Sequence, residues 1–164
     1  PKIFLQWYWR MIAEFGIVSA QLEMGNLEAA ETGAEIFAEE VAALADPALR
    51  ARAWGSLALV AAAKGDLVRA LQCADRAIEE MRGFDLPWVA WRVHGAASRL
   101  YARTAQPKAA ADHSRKAEAA LQRLVNSFEP GDPLRETLLA AMENLKTKLR
   151  AELEHSPVAG EAAR

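Results

Sequence analysis

Apolar and small residues recur along most of this chain at spacings of three and four, and apolar–polar alternation never persists, so the pattern predicts helices and no strands. Proline marks four helix starts, in Asp46-Pro47, Leu86-Pro87, Gln106-Pro107 and Asp132-Pro133. A first-turn proline costs no hydrogen bond, and the two aspartates are natural N-caps. Gly25, Gly65 and Gly83 mark stops. These signals predict helices near 3–24, 27–45, 47–64, 67–82, 87–104, 107–127 and 133–154, an all-α fold. The last helix carries Leu134, Leu138, Met142, Leu145, Leu149 and Leu153 at helical spacing. Its other face holds Arg135, Glu136, Glu143, Lys146, Lys148 and Arg150, which suits a helix that closes one end of a stack. Three helix pairs over 1–128, a capping helix over 129–154 and a disordered tail over 155–164 are therefore expected.

The chain repeats itself. Gly25-Asn26-Leu27 returns as Gly65-Asp66-Leu67, and Ala105-Gln106-Pro107 falls at the same phase, so the period is 40 residues. Flanking positions agree without gaps: Ala30, Ala70 and Ala110; Ala34, Ala74 and Ser114; Phe37, Ala77 and Ala117. Short side chains at fixed offsets let paired helices approach closely.

These positions resemble the tetratricopeptide (TPR) repeat. The middle repeat carries the likeness best, with Trp54, Leu57-Ala58, Gly65-Asp66, Ala70 and Ala77. The third supplies Tyr101, and the first keeps Ile17, Gly25 and Ala30. Two departures stand out: the period is longer than the family's 34 residues, and the repeat-ending proline is missing. Trp7 to Leu139 is also similar to the C-terminal TPR region of large bacterial ATPase-linked signalling proteins. The resemblance implies a right-handed α-solenoid of three TPR-like hairpins plus a capping helix, acting as an interaction module.

Composition narrows the partners. Hydrophobic residues make up 52% and charged residues 26%, with a net charge of -2. Charge-driven binding to nucleic acid or membrane is not expected from that balance. No apolar run approaches the length of a membrane span, and a single cysteine, Cys73, forms no internal disulfide, so a cytoplasmic location is expected. The opening Trp7-Tyr8-Trp9 reads as an edge that has lost a neighbour, and self-association through it is expected.

Enzyme signatures are missing: the sequence holds no phosphate loop, nucleophile elbow or paired-cysteine metal site. No catalysis, cofactor or metal is expected. His94, His113 and His155 fall on separate elements and read as isolated, and Cys73 reads as a packing residue. Trp54 and Trp91 occupy family packing positions, while Trp88 suits either packing or a ligand wall. The constellation with chemistry is basic. Arg92, Arg99 and Arg103 lie at i, i+7 and i+11, within a stripe about 40 degrees wide on one helix. Arg52 stands one period before Arg92. By the resemblance, these first-helix positions line the concave groove where a protein or acidic peptide docks. Two other readings stay open: a solvated face or salt bridges to Glu79, Glu80 or Asp85, and a sensor in which a small acidic ligand bridges Arg92, Arg99 and Trp88.

Overall fold

The computed structural model describes residues 2–154, and the side chains of 8–144. Its elements are α1 (Lys2–Glu23), α2 (Leu27–Ala42), α3 (Pro47–Ala63), α4 (Leu67–Glu80), α5 (Pro87–Arg103), α6 (Pro107–Asn126) and α7 (Pro133–Glu154). The described residues contain no strand. Every start from α2 onward falls where the proline and glycine signals place it. Asp46 caps α3, its side chain accepting from the amides of Ala48 and Leu49 at 2.8 and 3.2 Å. Asp132 likewise accepts from the Leu134 amide at 2.8 Å. The largest difference is at the end of α2, which stops at Ala42 and leaves the chain free to enter the Asp46 cap.

Three-residue turns join α1 to α2, α3 to α4 and α5 to α6. All three use one hydrogen-bond pattern. Asn26, Asp66 and Gln106 donate to the carbonyls of Gln21, Ala61 and Tyr101, while Gly25, Gly65 and Ala105 donate to Leu22, Ala62 and Ala102. This Schellman arrangement needs a left-handed residue at its centre. Gly25 and Gly65 supply it at φ 76° and 86°, whereas Ala105 is forced to φ 55° and carries a Cβ there.

Each turn folds its two helices antiparallel. Arg10 near the middle of α1 is bonded to Glu40 near the end of α2, and Arg50 at the start of α3 to Glu80 at the end of α4. These pairs are 40 residues apart at both partners, so register as well as sequence repeats. In the third hairpin the corresponding residues are Ala90 and Ala120, both buried. There the link is the Ser98 hydroxyl, which donates to the Ala110 carbonyl at 2.9 Å. The small residues behave as their offsets demand: Ala30, Ala70, Ala110, Phe37, Ala77 and Ala117 are all buried.

The chain forms two compact units, Pro1–Asp85 and Leu86–Arg164. In the first, Met11, Phe37, Val41, Leu49 and Ala53 form a core with Phe15, Ala38 and Leu44 around it. Outside that core, Glu31 of α2 is bonded to Lys64 and lies 3.2 Å from Arg69, which also reaches Glu35 at 3.2 Å. In the second unit Leu121, Val125 and Met142 meet, with Trp91, Leu124, Leu138 and Leu139 against them. Leu138 and Met142 of the apolar stripe expected on α7 do pack here, joined by Leu139, while Leu134 in the first turn is exposed. The side chains of Leu145, Leu149 and Leu153, and the tail from 155, lie outside the described residues.

Candidate functional site

The α5/α6 hairpin brings together polar side chains that sequence spacing left apart. Its register sets Ser98 against Ala110, so one turn earlier on α5 faces one turn later on α6. There Nδ1 of His94 lies 3.1 Å from Nδ1 of His113. The ring centroids are 5.2 Å apart and tilted by 38°. Tyr101, two turns along α5 from His94, stacks on the His113 ring at 5.2 Å and 9°. The reading of isolated histidines is thus corrected: two of the three are in contact, and 19 residues of separation hid it.

Electrostatics at the pair follow from burial. Desolvation, reinforced by His113 and Lys116 and opposed by Asp112, lowers the His94 imidazole to about 4. Asp112, beside His113, is held below the usual carboxylate range chiefly by Lys116, which it meets at 2.7 Å, and it also meets Arg115 at 3.1 Å. At neutral pH His94 is therefore uncharged, and one nitrogen of the pair must donate while the other accepts. Among the described residues, no three of His, Cys, Asp and Glu are grouped to hold a metal ion.

The arginines occupy two units. Arg52 is on α3, half-buried, with its guanidinium 5.1 Å from the Phe15 ring centre. On α5, Arg92 lies 4.7 Å over the ring of Trp91, itself packed against the α6/α7 core. Surrounding protein lowers the Arg92 pKa by desolvation although the side chain keeps an exposed surface. Arg99 is half-buried, Arg103 exposed and Trp88 half-buried in the first turn. Of the acids weighed as internal partners, Glu80 meets Arg50 and Arg76, and Glu79 meets Arg82. Trp54 is half-buried, with the Arg76 guanidinium 6.0 Å from its ring centre. Cys73 is buried, and that burial pushes its thiol up, away from the thiolate a nucleophile needs.

A second surface lies on α1 and the first residue of the turn after it. Trp9, Ala13, Gly16, Ile17, Ala20 and Met24 are all exposed. At about 100 degrees per residue they fall within an arc of about 100 degrees, so they form one uncharged stripe. One period later, five of these six positions in α3 are Leu49, Ala53, Ser56, Leu57 and Val60, and all are buried. Leu49 and Ala53 are covered by Phe37 and Val41 of α2. Trp9 is 63% exposed and Leu49 1%; Ile17 is 53% and Leu57 8%. No described helix is long and apolar enough to cross a membrane. Compared with known proteins, the chain matches no family model, no curated protein and no solved structure.

Proposed function

We propose that the chain is a cytoplasmic, non-catalytic protein-interaction module of TPR-like hairpins, an arm of a bacterial signalling protein. One observation carries this reading: α1 exposes the same face that α3 buries, with Leu49 and Ala53 of that face packed on the hairpin before it. A contiguous apolar stripe left in water is costly, and such stripes mark contact surfaces. Its occupant is the second helix of another helix hairpin, since α2, the second helix of its pair, packs on Leu49 and Ala53 of the equivalent face of α3. The absence of charge within the stripe makes the contact one of shape and apolar area, insensitive to salt.

Sedimentation velocity over a concentration series tests this, using a second copy as the available hairpin. Concentration-dependent association is expected, abolished by Trp9→Glu with Ile17→Glu while helicity by circular dichroism stays unchanged. A monodisperse monomer at the highest attainable concentration, or association that survives the double substitution, would overturn it.

The arginines of α5 support a second contact of different chemistry. Arg92 is preorganised on Trp91 and shares a stripe with exposed Arg103, which favours an acidic peptide or a small acidic ligand.

A further inference from the structure

The contact between His94 and His113 is unusual for what each atom must do. Two Nδ1 atoms that face one another at 3.1 Å repel if both carry lone pairs and clash if both carry protons. Only one of them holding a proton satisfies the pair. A cation between them is the other arrangement that satisfies both atoms, because both lone pairs are then used. The distance suits that occupant. An ion about 2.0–2.1 Å from each nitrogen would see them about 100° apart, close to the tetrahedral angle.

We propose that His94 and His113 form a two-histidine site for a divalent transition-metal ion of the zinc, copper or nickel group, completed by solvent. Imidazole suits these metals better than magnesium or calcium, which prefer oxygen. The ligands come from two helices whose register is already fixed by the buried Ser98–Ala110 hydrogen bond, so binding needs no refolding. Stacking on Tyr101 holds the His113 ring in place, as outer partners do for metal-bound histidines. The Asp112 carboxylate beside the pair is engaged by Arg115 and Lys116, so the two imidazoles are the groups left to ligate. Both rings are half-buried rather than sealed, which leaves coordination positions open to water or to a ligand carrying a nitrogen, oxygen or sulfur donor. With two protein ligands the ion is exchangeable.

Thermal melts with added zinc chloride at pH 7.5 test the site. A saturable rise in Tm is expected, reversed by EDTA, lost in His94→Gln and in His113→Gln, and kept in His155→Gln. No rise, or a rise that persists in His94→Gln, would overturn the proposal. Should the glutamine variants fail to fold, copper(II) electron paramagnetic resonance on the His155→Gln chain decides instead. Two coupled imidazole nitrogens support the site, and one or none refutes it.

Discussion

Nε of Arg50 donates to Oε2 of Glu80 at 2.7 Å across the α3/α4 hairpin, and Arg10 and Glu40 make the same link one period earlier. Arg50 also donates to the Leu44 carbonyl, tying the end of the preceding hairpin to the start of its own. A salt bridge repeated in sequence and in space marks the period more firmly than small residues do, since alanines recur in any helical protein. The third hairpin drops the pair for Ala90 and Ala120 and replaces it with a neutral hydrogen bond.

The two ion pairs should differ in strength. Arg50 and Glu80 side chains are 26% and 11% exposed, against 55% and 29% for Arg10 and Glu40. Double-mutant cycles to alanine, read by urea unfolding, should give a coupling of about 1 kcal/mol for the first pair and about 0.5 kcal/mol or less for the second. Equal couplings would show that burial is not what separates them.

Ala105 sits where its two counterparts are glycine. Ala105→Gly should stabilise the protein by about 1 kcal/mol by relieving the left-handed strain, and Gly65→Ala should destabilise it by a similar amount. Chemical denaturation of both variants checks the signs. A destabilised Ala105→Gly would mean that the added backbone freedom outweighs the strain.

His94 predicts an acid limit for the second unit. Its folded value of about 4 lies below the ordinary 6.5, so the unfolded chain binds more protons between those values. Stability is complete above about pH 6.5 and falls as the pH drops toward 4. The loss is about 2 kcal/mol, less than the whole shift would give, because the ring is only part-buried. Melts from pH 8 to pH 4 with EDTA present should show this fall in the native chain and a shallower one in His94→Gln.

On α5, a poly-glutamate peptide should bind with an affinity that drops as salt rises, since exposed charges are screened over about 8 Å at physiological ionic strength. Arg92→Ala with Arg99→Ala should abolish that binding. An earlier melt of the double variant, with binding retained, would make these arginines structural supports of Trp91 instead.

Helix starts were legible because proline and glycine act locally, whatever the rest of the chain does. Asp46, Asp132, Gly25 and Gly65 all do what their side chains or backbones dictate. The stripe on α7 was legible at Leu138 and Met142 but not at its start: Leu134 and Leu139 are equally apolar, and only packing against Leu121, Val125 and Met142 makes Leu139 the one that is partly covered. His94 and His113 could not be joined from spacing alone. The signal existed in the register, because the 40-residue phase and the antiparallel turn together fix which α5 residue faces which α6 residue. The arginine stripe was readable as a helix face, but not the aromatic rings on which Arg52 and Arg92 rest.

The three tight turns also govern how the chain reaches its fold. Each brings together residues close in sequence, such as Val18 and Gly33 or Ser98 and Ala110. Closing so short a loop costs little entropy, and folds dominated by near neighbours form in microseconds to milliseconds. A nascent chain can therefore zip one hairpin as soon as its second helix leaves the ribosome, before the next has been made. Of the three nuclei, the one built on Ala105 is expected to close last, since its turn alone must enter the left-handed region without glycine.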